Sequence, residues 1–308
     1  MTVLHAERPK TSSESQHAGR LFFLELSGGR VHSMNSDGTG GKTLLTGVVL
    51  PDGIAINATA GHIYWTNMGV PGLNDGWIER ADLDGGNRKI IVPPGATHTP
   101  KQMQLDKQNG KLYWCDREGM RVMRADFDGG NIEVLVQAGT GDEDRRDQTR
   151  WCVGIALDPV AGKIYWTQKG PDNGGKGRIF CANMEIPRGE GPLDRSDTQI
   201  LLSGLPEPID LELDHKNHVL YWTDRGDPPD GNTVNRVHLQ PNGQLDGPPQ
   251  IVFDRLMEGI GVALDVAGDR MFVTDLGGSV YSSRLDGSSR QVVQYAQGNL
   301  AGIAYSEI

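Results

Sequence analysis

From residue 20 onward the chain is built of short apolar runs, each broken by a polar or glycine-containing turn. A stretch such as Ile164-Tyr165-Trp166-Thr167 is β-branched or aromatic throughout, which suits a pleated, half-buried surface. Lys169-Gly170 then opens a polar, glycine-rich segment. The same arrangement returns as LFFLE (21–25), IYWTN (63–67), LYWCD (112–116), IYWTQ (164–168), LYWTD (220–224) and MFVTD (271–275). Successive starts lie 42 to 56 residues apart, which is the mark of a repeat architecture. Upstream of each later copy lies a second apolar run (PDGIAIN, PKQMQLD, CVGIALD, PIDLELD, GIGVALD). Downstream lies an alternating run ending in Asp-Gly or a variant of it, then a fourth run such as RKIIV or IEVLV. Asp-Gly between two strands signals a hairpin. Four short antiparallel strands per repeat, set radially, is the blade plan of a β-propeller.

The chain ends complete the pattern. LFFLE has no strand-like run before it, and LAGIAYS (300–306) has the upstream pattern with no YWTD-like run after it. The C-terminal strand is therefore expected to become the innermost strand of the first blade, closing the ring and removing two exposed edges. The prediction is all-β: a six-bladed β-propeller of four-stranded antiparallel blades in a single domain over 20–308, behind a flexible tail at 1–19. Two segments, 183–198 and 240–249, read as decorated hairpins.

Composition narrows the function. The chain has 308 residues, 30 Lys+Arg against 40 Asp+Glu, and a net charge of −10. That balance speaks against a nucleic-acid partner, because phosphate binding needs a basic surface. No run of 18 apolar residues occurs, so no membrane-spanning helix is expected. The segment MTVLHAERPKTSSESQHAG has no apolar core of a secretory signal. With three cysteines, Cys115, Cys152 and Cys181, which cannot all pair and which sit in apolar runs as buried thiols, this leads to a cytoplasmic expectation.

The quoted motifs carry a resemblance. Tyr-Trp recurs at 64–65, 113–114, 165–166 and 221–222, and over 20–308 the chain resembles the YWTD six-bladed propellers, the class B repeat domains of low-density-lipoprotein-receptor-like proteins. The recurring Tyr and Trp are expected to pack blade on blade, and Asp116, Asp224 and Asp275 to bond backbone at turns. Without a signal or cysteine-rich modules, the chain is similar to propellers of fungal natural-product pathways, some of which are hetero-Diels–Alder catalysts.

Loop lengths point to one face. Apart from 183–198 and 240–249, the turns after the first and third strands of the blades are short, whereas the connections at the other end are long and dissimilar, and such loops on a rigid scaffold usually carry function. A small-molecule pocket is therefore expected there, over the central channel. Its ring would be Asp52, Lys101, Gln102, Gln104, Arg150, Trp151, Asp210, Glu258 and Asn299, with His98, Trp77, Met68, Arg225 and Met257 from flanking loops. Gln102, Gln104, Asp210 and Glu212 stand where other repeats have glycine or alanine, and a polar group in an apolar register needs a partner or a purpose.

Three functions fit this ring. The first is a cofactor-independent cyclase acting on a small organic substrate, as the natural-product resemblance implies, with Arg150, Gln102, Gln104 or His98 donating to a carbonyl and Trp151 stacking. The second, by likeness to propeller lactonases, is a hydrolase holding Ca or Zn with Asp52, Asp210, Glu258 and Asn299 as oxygen ligands. The third is a non-catalytic protein- or ligand-binding propeller.

Overall fold

The structure is a computed structural model that describes residues 19–308. The expected tail therefore lies almost wholly outside the described residues; Gly19 already belongs to the first strand. Strands β1 (Gly19–Glu25), β2 (Arg30–Asn35) and β3 (Lys42–Thr46) form most of blade I. Blade II is β4 (Pro51–Asn57), β5 (His62–Asn67), β6 (Trp77–Asp82) and β7 (Lys89–Val92). Blade III is β8 (Pro100–Asp106), β9 (Lys111–Asp116), β10 (Arg121–Asp126) and β11 (Glu133–Gln137). Blade IV is β12 (Cys152–Asp158), β13 (Lys163–Gln168), β14 (Gly177–Asn183) and β15 (Gln199–Leu205). Blade V is β16 (Pro208–Asp214), β17 (Val219–Asp224), β18 (Thr233–Leu239) and β19 (Leu245–Phe253). Blade VI is β20 (Gly259–Asp265), β21 (Arg270–Asp275), β22 (Val280–Ser283) and β23 (Gln291–Gln294). The last strand, β24 (Leu300–Glu307), pairs antiparallel with β1 and is the inner strand of blade I, so the ring closes as expected.

The 240–249 segment is the β18–β19 hairpin, as expected, with its second half already in strand because β19 starts at Leu245. The long loop between blades III and IV contains a helix, α1 (Gly141–Arg146), with acidic residues in its first turn and Arg145 and Arg146 in its last, a charge order that suits the helix dipole.

Packing explains the repeat. Trp65, Trp114, Trp166 and Trp222, with Tyr64, Tyr113, Tyr165 and Tyr221, are fully buried. The apolar side chains form six clusters, one at each blade junction. Asp116, Asp224 and Asp275 accept backbone N–H bonds at the loop ends, from His98 and Thr99, from Glu207 and Gly226, and from Met257 and Ser279 respectively. The three cysteines are buried and free. Burial pushes the Cys152 thiol up to about 12 and the Cys181 thiol up to about 11, which makes them poor nucleophiles.

The repeated threonine has a definite task. In the inner strands of blades II to VI the register slips between the first and fourth residues, as at Pro51/Ile54 and Cys152/Ile155. Such a bulge leaves a backbone N–H unpaired and re-aims side chains. Thr66, Thr167, Thr223 and Thr274 Oγ1 accept the third residue's N–H from Gly53, Gly154, Asp210 and Gly261. Thr167, Thr223 and Thr274 then donate to the carbonyls of Ile209, Ile260 and Ala301 in the next blade. One hydroxyl thus fastens its own bulge and the neighbouring blade.

Candidate functional site

On the long-loop face, six backbone bonds of one kind outline the axis. The residue after each YWTD-like strand (Leu26, Met68, Arg117, Lys169, Arg225, Leu276) donates its N–H to the residue before an inner strand (Asn299, Leu50, Thr99, Trp151, Glu207, Glu258) at 2.7 to 3.3 Å. These pairs form a rim. Beneath it, the second residues of four inner strands, Val153, Ile209, Ile260 and Ala301, are buried and meet in one apolar cluster. At the same register blades II and III carry Asp52 and Lys101 instead.

Asp52 and Lys101 form a buried ion pair. The Lys101 ammonium also lies 3.2 Å from Met68 Sδ, and Gln102 donates from Nε2 to Asp52 Oδ1 at 3.2 Å. Burial pulls the Lys101 ammonium below its ordinary range, with Asp52 opposing. Around the rim, Arg117 bonds Glu118 at 2.5 Å. Burial pushes the Glu118 carboxyl up, but hydrogen bonding and charge from Arg117, with help from Thr99 and Lys101, bring it below its usual value. Lys169 lies 2.7 Å from both Glu207 and Asp172. Arg225 lies 2.7 Å from Glu207 and 4.0 Å from Glu258.

Trp151 sits among these cations. Its indole N–H donates to Arg145 O at 2.8 Å, which fixes the ring. The Arg117 guanidinium stands 5.0 Å from the ring centroid and the Lys169 ammonium 5.6 Å, both within cation–π range. Arg117, Lys169 and Glu207 were not among the residues singled out from the sequence. The signal was present, because Arg117 and Lys169 occupy the same register as Met68 and Arg225, one place after the YWTD-like strand.

The structure thus brings together Asp52, Lys101, Gln102, Met68, Trp151 and Arg225, and disperses other members of the expected ring. Arg150 is the last residue of a short 3₁₀ turn (Gln148–Arg150) capped by Asp147. Its guanidinium donates to Ala138 O and lies 3.4 Å from Asp144 and 3.3 Å from Asp147, lining a flank groove with Trp166 and Phe180. His98 is buried, with its N–H on Asp116 and Nδ1 3.1 Å from Thr99 Oγ1. It lines a separate cleft of about 520 Å³ with Arg121 and Arg145, and burial pulls its imidazole below the usual range. Trp77 begins β6, the third strand from the axis. Met257 and Glu258 are exposed at the rim, and the Asn299 carboxamide donates to Leu276 O.

Gln104 belongs to the opposite end of the axis, where it donates to Glu212 at 2.8 Å. Asp210 lies between blades V and VI and accepts N–H bonds from Leu211 and Val262. Burial holds its carboxyl well above the usual carboxylate range. The proposed metal ring of Asp52, Asp210, Glu258 and Asn299 is not assembled: Asp52 pairs with Lys101, Asp210 accepts backbone N–H bonds between blades V and VI, Glu258 is exposed at the rim, and Asn299 donates to Leu276 O. Among the described residues no group of three His, Cys, Asp or Glu side chains could hold a metal ion.

Comparison with known proteins agrees with this architecture. In the nidogen/laminin complex, a crystal structure, one chain superposes on 93% of this chain and 98% of its own length with a TM-score of 0.72 at 23% identity. TolB from Acinetobacter baumannii covers 94% of this chain with a TM-score of 0.66 at 13% identity. These define the class, a six-bladed propeller. No family model matches the sequence. The low-density lipoprotein receptor-related protein 1 of Pyricularia oryzae is 46% identical over 94% of this chain and 99% of its own length. The chain therefore belongs to the low-density-lipoprotein-receptor-related, YWTD-repeat family of propellers. The 3-hydroxyacyl-CoA dehydrogenase-like protein LAM1 of Cochliobolus heterostrophus is 43% identical over 88% of this chain, which spans 61% of that longer protein.

Proposed function

We propose that the rim on the long-loop face binds a small organic molecule carrying a conjugated carbonyl and promotes its cyclisation without a cofactor. The observation that carries this reading is the Trp151 ring, fixed by its own N–H bond, with the Arg117 and Lys169 cations both within cation–π range of it. A fixed aromatic face is a stacking surface for a planar, unsaturated substrate. Cationic N–H donors beside it polarise a carbonyl oxygen as negative charge develops there.

A hetero-Diels–Alder step asks for nothing further in chemistry. Three π bonds become one π and two σ bonds, every atom is kept, and no proton or electron leaves. Holding the partners face to face supplies effective molarities of about 10⁵ M or more. The support from relatives is of a coarser kind: the name of LAM1 is that of an enzyme-like protein, and its dehydrogenase description belongs to the longer chain.

A second reading, a protein-binding propeller, is favoured by the paired charges of the rim and the apolar closure beneath it. The receptor-related name of the Pyricularia oryzae relative points the same way.

Metabolite profiling of the native host with Trp151→Ala or Arg117→Met in place of the wild-type chain separates the two. The cyclase reading expects one cyclic product to fall about 100-fold, with its open-chain precursors accumulating, while the purified variants keep their thermal midpoint. An unchanged profile in both variants and in a deletion strain overturns it.

A further inference from the structure

The opposite end of the axis holds a second constellation. At the fifth residue of the inner strands, blades I, II, IV and VI carry alanine: Ala304, Ala55, Ala156 and Ala263. Blades III and V carry Gln104 and Glu212, which face each other across the lumen. They line a cavity of about 330 Å³ that opens between the short turns, walled by Ala55, Ala263 and Ala304 and bordered by Lys107 and His215. Gln104 Nε2 is used on Glu212 Oε1. No described residue donates a side-chain hydrogen bond to Gln104 Oε1, and apart from Gln104 the Glu212 carboxyl has only the Leu213 backbone N–H bonded to it among the described residues, so acceptor capacity remains on both side chains. Lys107 makes no ion pair with Glu212 within 4.0 Å among the described residues.

We propose that this short-turn mouth is a second binding site, separate from the rim, for a small molecule bearing a primary ammonium group. An ammonium offers three N–H donors and can satisfy the Glu212 carboxylate and the Gln104 carbonyl together. A quaternary ammonium carries the same charge with no donor. The small alanine walls leave room for a short carbon chain.

The test is saturation-transfer NMR with ethylammonium as probe and tetramethylammonium as the equal-charge control. A Gln104→Ala/Glu212→Ala variant, which gives both positions the residue of the other blades, is compared with wild type. Ethylammonium is expected to receive saturation from wild type at pH 8 and to lose at least tenfold of it in the variant, with tetramethylammonium near background in both. Glu212→Gln, which retains a hydrogen-bonding side chain, should lose the signal as well and guards against a folding defect in the double variant. Equal transfer to both cations, or equal transfer with wild type and variants, overturns the proposal.

The pH profile is a further check. Glu212 faces Gln104, Lys107, His215 and Tyr305 around the cavity, with Asp210 two residues away, and burial pushes its carboxyl up to about 7. Binding should therefore strengthen as pH rises from 6 to 8, as the carboxylate forms. A profile that weakens over that range counts against the site. Trp151→Ala leaves this binding unchanged, so its outcome is independent of the function of the rim.

Discussion

The Lys101–Asp52 pair occupies a register that other blades fill with valine, isoleucine or alanine. Both side chains are buried, and Gln102 adds a bond to the carboxylate. Lys101→Met strands a carboxylate in an apolar setting, and loss of one partner of a buried pair costs about 3–5 kcal/mol. A double replacement, Asp52→Val with Lys101→Ile, gives both blades the residue types of blades IV and V and should recover most of that loss. Denaturant unfolding of the two variants checks this; a single variant within about 1 kcal/mol of wild type would show that the pair is solvated. What the sequence reveals here is register without depth. Gln102 and Gln104 both break an apolar pattern, yet two residues advance a strand by about 6.6 Å, enough to put one amide under the rim and the other at the far mouth. Arg150 was illegible for another reason: it ends an aperiodic loop, where a capped 3₁₀ turn and two nearby aspartates decide its direction.

Four inner strands, those of blades II, IV, V and VI, depend on a threonine, and four blades (I, II, IV and VI) carry a glycine at the third residue. Thr167→Val keeps the shape but leaves the Gly154 N–H and the Ile209 carbonyl without their partner. A buried unsatisfied group costs about 1–3 kcal/mol, so the thermal midpoint should fall by several degrees, and Thr167→Ser should restore most of it. A midpoint equal to wild type would mean that water replaces the hydroxyl. Gly154→Ala is expected to be worse, since an added Cβ would lie 2.0 Å from the Ile209 carbonyl oxygen. The recurrence of threonine was plain in the sequence, as were the strands, the Asp-Gly turns and the six-fold count, because each is a local pattern repeated. The partner of the hydroxyl was not, since it sits in the next blade and is created by the bulge.

Closure of the ring rests on β24. Removing residues 300–308 exposes the edge of β1 and takes Leu300 and Ile303 from the junction of blades VI and I. Unpaired strand edges recruit other chains, so the truncated protein is expected to run as aggregates in size-exclusion chromatography and to lose a sharp melting transition. A monomeric, cooperatively melting truncation would show that five blades and a fragment suffice. The pairing of Gly19 with Glu307 and of Glu25 with Leu300 also fixes an order of events during synthesis. The first blade is born without its inner strand and waits for β24, more than 270 residues further on, to leave the ribosome. The entropy of closing so long a loop grows only as the logarithm of its length, so the wait is a matter of timing more than of equilibrium. During it, the nascent chain presents an open-ended arc to the folding machinery of the cell, and only β24 latches the circle.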